Sequence, residues 1–246
     1  LLAAMDDGFI NKNSTVETGG GSYKFYGRTI TDTHGYGTLT VDGVMKKSSN
    51  IGTAKIINKY YGENPKAFFK KMDKWHMTSP LGVDILGEGS PIMHRPDSKS
   101  WSNITLPVMG YGYGLQLTPI QIVTFYNAVA NNGKMLKPLF MDKITRKGEP
   151  DKVFEPVVLV DQLTSLENVK QMQEMLRGAV EQGTGRIISN SNYDIAGKTG
   201  TARVDYWKRD GKGMQYRASF AGYFPAEKPK YSCIVVVHKP NTAKGF

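Results

Sequence analysis

Apolar positions recur at the spacing of a helix face in the first half of the chain. Residues 50–61 carry three such side chains: Ile51, Ala54 and Ile57. Because three- and four-residue steps place side chains on one side of a helix, this pattern predicts a helix over 50–61. A shorter helix is predicted over residues 40–47, with Thr40 as its capping residue. The opening stretch LLAAMDDG has the composition of a helix end, with Gly8 as the stop.

Capping residues and prolines mark three further helix starts. Asn64-Pro65 and Thr118-Pro119 each join a capping residue to a proline at the first helical position, and the second of these helices runs to Gly133. Thr164-Ser-Leu-Glu167 has the pattern of a capping box. The apolar faces of the first and last of these helices are Phe68, Phe69, Met72 and Trp75, and Val169, Met172, Leu176 and Val180. Residues 37–135 are therefore predicted to form a mainly helical lobe.

The last part of the chain has the composition of strands. Three segments rich in β-branched and aromatic residues, 194–204, 216–226 and 230–239, are separated by polar turns, which predicts an antiparallel meander. Cys233 lies in the apolar run YSCIVVV, which predicts a buried strand. The sequence thus predicts one α/β (more narrowly α+β) domain over 1–246, in which a helix and an antiparallel sheet over 136–246 join an all-helical lobe.

Composition excludes several kinds of function. The net charge of +10 favours acidic partners, but the 32 basic residues are spread along the chain, so no nucleic-acid partner is predicted. One cysteine permits no internal disulfide, and the four histidines lack the spacing of metal ligands. No apolar run approaches the ~20 residues of a membrane span. No cofactor or metal is implied.

The stretch AGKTGTARV, residues 196–204, carries the first chemical signal. Gly-Lys-Thr ends a phosphate-binding P-loop, but that motif needs a glycine five positions before Gly197, where this chain has Asn192. GTARV also does not open a helix, so the phosphate-binding interpretation fails. Lys-Thr-Gly is equally one of three motifs of the serine enzymes that recognise penicillin, whose others are Ser-x-x-Lys and Ser-x-Asn. KSSNIG supplies Ser48-Ser49-Asn50 on a turn between two predicted helices.

Together with their flanking blocks, these motifs resemble the transpeptidase domain of class B penicillin-binding proteins, most closely the division-specific (septal) type. The resemblance covers nearly the whole chain, in YGTLTVDGVMKKSSNIGTAKI, GYGYGLQLTPIQIVTFYNAVANNGKMLKP, GTGR, IAGKTGTA and ASFAGYFPAEKPKYSCIVVV. It implies a peptidoglycan D,D-transpeptidase with a penicillin-binding protein fold, and a stem peptide ending in D-Ala-D-Ala as substrate. β-Lactams and membrane proteins of cell division and wall synthesis would be its other partners.

The resemblance also assigns roles to residues of both motifs. Ser48 would relay a proton, Asn50 would hold the substrate amide and the general-base lysine, and Lys198 would provide positive potential. Gly200 would let substrate backbone lie along the strand, and the Thr201 N–H would help to bind the oxyanion. The expected substrate-binding residues are Ser49, Thr199, Gly200 and Thr201.

The nucleophile of this family is not found in the chain. No serine is followed by lysine three positions later. The resemblance places Ser-x-x-Lys about two helical turns before Leu1, so the fragment alone is expected to be inactive and the intact protein active. It also implies an extracytoplasmic, periplasmic location at the bacterial cytoplasmic membrane, held there by an N-terminal segment outside this sequence.

Two other functions remain open, and two further stretches are given no catalytic role. The same scaffold serves hydrolases, either D,D-carboxypeptidases or β-lactamases, and non-catalytic β-lactam sensors. The loop glutamate of class A β-lactamases has no convincing counterpart here. Gly183-Thr-Gly-Arg186 is expected to shape the approach to the motif strand without a catalytic role. Tyr206 and Trp207 either line the cleft or lie in a solvated hairpin.

Overall fold

A computed structural model describes residues 1–189, 192–204 and 215–240. Within them the helices are α1 (Leu2–Asp6), α2 (Val41–Lys47), α3 (Asn50–Tyr61), α4 (Pro65–Lys74), α5 (Thr105–Met109), α6 (Pro119–Ala130) and α7 (Leu166–Glu181), with a 3-10 turn at Arg186–Ile188. The strands are β1 (Thr15–Gly19), β2 (Ser22–Phe25), β3 (Arg28–Thr31), β4 (Gly37–Thr40), β5 (Ile92–Met93), β6 (Leu115–Gln116), β7 (Met135–Leu136), β8 (Lys143–Ile144), β9 (Lys152–Val153), β10 (Val158–Val160), β11 (Ala196–Val204), β12 (Gln215–Phe224) and β13 (Tyr231–His238).

The largest sheet is the antiparallel meander β11-β12-β13. Helix α7 packs against β11, and α6 packs against β12 and β13. Since α6 and α7 also touch each other, they form one helical layer over the sheet. The core between them contains fully buried Ala196, Tyr223, Met175 and Val129. The predicted α+β architecture, an antiparallel sheet flanked by helices, is confirmed.

A second group of helices surrounds α3. This helix contacts α1, α2, α4 and α5, and its Ile51 and Ala54 are fully buried in a small core with Phe25 and Ile30 of the β2–β3 hairpin. Helix α2 contacts both α3 and α7. The helical part therefore reaches the sheet through α2 and α7, and this contact brings the turn between α2 and α3 close to β11.

The predicted lobe 37–135 contains other elements as well as helices. The short antiparallel pair β5–β6 falls within it, and α6 packs on the sheet because its apolar side chains cover β12 and β13. The contacts of α6 therefore cross the boundary that the sequence places near residue 135. The division into two lobes stays a prediction.

Most predicted helix starts are confirmed, and two caps differ in detail. The Thr40 and Thr118 side chains cap α2 and α6, the latter through a capping box with Gln121. The capping box expected at Thr164 is wrong by one position: the Ser165 hydroxyl accepts from Asn168 N at 3.2 Å. Asn64 precedes Pro65 as expected, but its side chain makes no capping hydrogen bond.

The strand of Cys233 is less buried than expected. Cys233 is half-buried, and Val235, Val236 and Val237 are each at least 38% exposed. The reason is that β13 lies at the sheet edge, where helix α6 covers it only in part. Tyr206 and Trp207 lie outside the described residues, so their two interpretations stay open.

Candidate active site

The turn between α2 and α3 presents Ser48 to solvent. Ser48 is the C-cap of α2 in the left-handed conformation, with φ of 53°, and the following Ser49 N–H donates to Val44 O at 3.0 Å. The Ser49 hydroxyl then caps α3 by accepting from Gly52 N at 2.9 Å. One helix thus ends and the next begins within two residues. This sharp junction leaves the Ser48 side chain exposed at its apex.

The start of α3 is held by the segment that follows β3. The Asp32 carboxylate accepts hydrogen bonds from the Ser49 hydroxyl and, at 3.1 Å, from Ile51 N. The Asn50 amide donates to Thr31 O at 2.9 Å. A carboxylate at a helix N-terminus accepts from unpaired N–H groups and is favoured by the helix dipole. Asp32 therefore fixes the backbone that carries the Ser-x-Asn motif.

Ser49 and Asn50 occupy different environments from Ser48. Ser49 is 1% exposed and its hydroxyl is engaged with Asp32 and the cap of α3, so the structure does not bring it to the surface where a substrate would lie. The substrate contact expected for Ser49 does not fit this burial. Asn50 is half-buried at the first position of α3.

Lys198 meets Ser48 across 150 residues of sequence. Its ammonium group donates to the Ser48 hydroxyl, to Thr184 Oγ1 at 3.0 Å and to Thr199 O at 3.1 Å. In the part of the chain that the structure describes, every hydrogen-bond acceptor of this ammonium is uncharged. Burial lowers the pKa of Lys198 to about 8, since a partly desolvated ammonium loses hydration. The two motifs thus lie together, around a cation that no carboxylate of the described residues neutralises.

Strand β11 has one edge available for a further strand. One edge pairs with β12, and in the described residues no strand pairs with the other. The Arg203 N–H points to this second edge, since it donates to the Tyr113 hydroxyl at 3.1 Å. Backbone groups alternate in direction along a strand, so those of Thr199 and Thr201 face the same edge. An extended peptide could therefore pair with β11 beside Lys198.

Thr184 belongs to the same cluster, although GTGR is predicted to have no catalytic role. Its hydroxyl lies 2.8 Å from Thr199 Oγ1 and 3.3 Å from Ser48 Oγ, and it accepts from Lys198. GTGR is one of the sequence blocks that carry the resemblance. Its place in the site depends on the packing of α7 against α2, and local sequence carries no signal for that packing.

Among the described residues there is neither a cluster of metal-binding side chains nor a helix able to span a membrane. No three His, Cys, Asp or Glu side chains among them are grouped as a metal ion would require. None of the helices in these ranges is both long and apolar enough to cross a bilayer.

Known proteins with similar sequences share one activity in their names. The chain is 28% identical over 247 residues to the peptidoglycan D,D-transpeptidase FtsI of Escherichia coli, covering all of this chain and 39% of that protein. It is 29% identical over 257 residues to the probable peptidoglycan D,D-transpeptidase PenA of Neisseria flavescens, covering 57% of that protein. The chain thus spans well under two thirds of the length of these relatives.

Solved structures and a family model agree with these relatives. The transpeptidase domain of Burkholderia pseudomallei penicillin-binding protein 3 superposes with a TM-score of 0.80 at 31% identity, covering 98% of this chain and 69% of that one. Penicillin-binding protein 3 of Mycobacterium tuberculosis, solved with aztreonam, gives 0.84 at 26% identity, covering 97% and 54%. The model of the penicillin-binding protein transpeptidase domain matches residues 1–246. The resemblance is confirmed: this chain belongs to the family of penicillin-binding protein transpeptidase domains.

Proposed function

We propose that this chain is the catalytic domain of a peptidoglycan D,D-transpeptidase that works through a serine acyl-enzyme. The observation that carries the proposal is the contact between the Lys198 ammonium and the Ser48 hydroxyl beside the open edge of β11. A cation, a hydroxyl and a strand edge are what a peptide with a C-terminal carboxylate needs for recognition and for proton transfer. The names of the relatives support the same activity.

The substrate is a stem peptide ending in D-Ala-D-Ala, bound as an added strand along β11. Its terminal carboxylate lies near Lys198 and accepts from the hydroxyls of Thr199 and Thr201. Gly200 has no side chain to obstruct the peptide, and the outward Thr201 N–H donates to the oxygen that becomes negative in the tetrahedral intermediate. The uncharged surroundings of Lys198 leave its charge available for this carboxylate.

The reaction transfers an acyl group in two steps. A serine hydroxyl attacks the carbonyl between the two D-alanines and passes its proton to the general-base lysine of Ser-x-x-Lys; an ester forms, and the C–N bond breaks. Ser48 gives a proton to the departing amine, while Asn50 holds the substrate amide. In the second step an amine of a neighbouring peptidoglycan strand attacks the ester. That amine loses a proton, a new amide forms as the ester C–O bond breaks, and the nucleophilic serine regains its proton from the general-base lysine.

The nucleophile is proposed to lie in a Ser-x-x-Lys sequence shortly before Leu1. This proposal rests on the chain itself, in which no serine has a lysine three positions later. The first test is the reading frame that encodes the chain: absence of Ser-x-x-Lys just upstream would remove the catalytic claim. The second is labelling by a fluorescent penicillin, expected for the product of the longest reading frame and not for residues 1–246 alone.

A turnover assay separates this function from its alternatives. The full-length protein is incubated with a stem peptide ending in D-Ala-D-Ala and an acceptor amine, and D-alanine release and cross-linked product are measured. Cross-linked product supports the transpeptidase. D-Alanine release with water as the only acceptor would make the protein a carboxypeptidase, and penicillin labelling without peptide turnover would make it a sensor. Ser48→Ala should abolish turnover, and exposed Lys170→Ala serves as the matched surface control.

The septal role and the location follow from the same resemblance. We infer that the intact protein acts outside the cytoplasmic membrane, held by an N-terminal anchor, together with membrane proteins of cell division and wall synthesis. A fluorescent fusion that gathers at the division site supports this inference. Uniform labelling along the side wall would instead favour a role in elongation.

A further inference from the structure

Thr184 is held at a fixed place between α2 and β11. Its N–H donates to Lys46 O at 3.1 Å, and the next N–H, that of Gly185, donates to Ala179 O at 2.9 Å. A Cβ at Gly183 would lie 2.5 Å from Lys46 O and 2.7 Å from Ala179 O, so the turn fits against both helices only with glycine there. The position of the Thr184 hydroxyl is therefore set by backbone contacts and does not depend on a mobile loop.

The hydrogen bonds around Thr184 determine where its proton points. A hydroxyl has one proton to donate and two lone pairs with which to accept. Before a peptide carboxylate accepts the hydrogen bond of Thr199, Lys198 donates to the Thr184 oxygen at 3.0 Å and Thr199 donates to it at 2.8 Å, so both lone pairs are occupied. The remaining neighbour is Ser48 Oγ, 3.3 Å away. The proton of Thr184 is thereby directed to Ser48.

Counting protons and lone pairs in the same way gives the direction of the Ser48 hydroxyl proton. Its oxygen accepts from Lys198 and from Thr184, and its own proton is left to point out of the cluster. We propose that Thr184 is a positioning residue that keeps the Ser48 hydroxyl oriented as a proton donor toward the substrate groove. The inference rests on the proposed function, in which Ser48 protonates the departing amine.

The proton balance of this arrangement closes over the two steps. Ser48 gives its proton to the amine nitrogen as the C–N bond breaks, and it takes a proton from the Lys198 ammonium, which becomes neutral. When the acceptor amine attacks the ester, its proton returns through Ser48 to Lys198, and the nucleophilic serine recovers from the Ser-x-x-Lys lysine the proton that it gave up on attack. Thr184 loses no proton in either step; it only holds the Ser48 oxygen in the direction that this transfer requires.

Two variants separate orientation from substrate binding. Thr184→Val removes the hydroxyl and keeps the branched shape, and Thr184→Ser restores the hydroxyl. In the full-length protein, Thr184→Val should lower the rate constant for acylation by penicillin about 10- to 100-fold, as expected for impaired general acid catalysis. The dissociation constant of the stem peptide should change less than about three-fold, and Thr184→Ser should stay within about three-fold of wild type in both. Unchanged acylation in Thr184→Val, or a parallel loss of affinity and rate, would overturn the proposal.

A measurement on the chain itself keeps this test independent of catalysis. The titration of Lys198 is followed by NMR of its labelled ε-carbon. Loss of an acceptor from the ammonium should lower the Lys198 pKa by about one unit in Thr184→Val and leave it unchanged in Thr184→Ser. If full-length wild type is not labelled by penicillin, the proposed function fails. The titration still tests whether the Thr184 hydroxyl accepts a hydrogen bond from Lys198. Thr184→Ala provides the same test should the valine variant not fold, and an unmoved titration would refute the inference.

Discussion

Replacing Lys198 should change how the stability of the chain depends on pH. In the folded chain, burial lowers the pKa of Lys198 to about 8 from an ordinary value of 10.5. Between these two values the unfolded chain holds the proton and the folded chain does not. The contribution of Lys198 to stability therefore rises with pH in this window, since its unfolded form binds more protons. Lys198→Met removes this titration and with it the rise.

The size of the effect follows from the pKa difference. One pKa unit corresponds to about 1.4 kcal/mol, so the change from 10.5 to about 8 amounts to about 3 kcal/mol. Between pH 7 and pH 10 about 2 kcal/mol of this is expressed, because the unfolded lysine is still largely protonated at pH 10. The free energy of unfolding of wild type minus that of Lys198→Met should rise by this amount over that range.

Urea unfolding at pH 7, 8, 9 and 10 measures this difference directly. Subtracting the two proteins cancels titrations that both share, and Lys170→Met, at an exposed position of α7, controls for the loss of a surface lysine. If the difference in the free energy of unfolding between wild type and Lys198→Met stays constant to within about 0.5 kcal/mol from pH 7 to pH 10, burial does not lower the pKa of Lys198 as stated.

Three further predictions concern substitutions at residues that position the site. Ser48→Gly should be about 1 kcal/mol more stable to urea than Ser48→Ala, since glycine adopts φ of 53° without strain; equal stabilities would contradict this. Asp32→Ala should cost about 1–2 kcal/mol in the same assay, because the start of α3 loses its carboxylate; no loss would exclude the bracing role. Gly197→Ala should cost about 2 kcal/mol or more, since a Cβ there lies 2.5 Å from a carbonyl oxygen of β12. In Gly200→Ala the added Cβ lies 2.8 Å from the Ser219 hydroxyl, a side-chain atom that can move, so this variant should be as stable as wild type. Equal losses of stability at both glycines would refute this distinction.

Local signals explain why much of the fold could be predicted from sequence. The boundaries of α3 at Asn50 and Tyr61 follow from a buried stripe and a serine cap, and the three long strands follow from β-branched runs between polar turns. Both kinds of signal lie within the segment that they describe. The Ser-x-Asn and Lys-Thr-Gly motifs could be joined only because they occur together in one family.

Apart from the details of two helix caps, the missed features depend on contacts between distant segments. Asp32 reaches α3 from the end of a hairpin, and nothing in its own neighbourhood distinguishes it from a solvated turn residue. Thr184 enters the site because α7 packs on α2. The exposure of the valines in β13 depends on which sheet edge is covered, and composition gives the strand without its place in the sheet. Burial and hydrogen bonds that join distant segments therefore could not be predicted from the sequence.

The absence of a carboxylate beside Lys198, within the described ranges, explains why the site is built at a cost in stability. A carboxylate within hydrogen-bond distance would favour the ammonium form and stabilise the fold, but it would also neutralise the charge that, in the proposed function, attracts a substrate carboxylate. Hydroxyl and carbonyl partners orient the ammonium without cancelling its charge. An anion that binds at Lys198 then offsets the cost of desolvation that lowers the pKa of this lysine in the absence of ligand. In the proposed function, the stability that is lost by burying the Lys198 ammonium is therefore recovered when the carboxylate of the peptide binds.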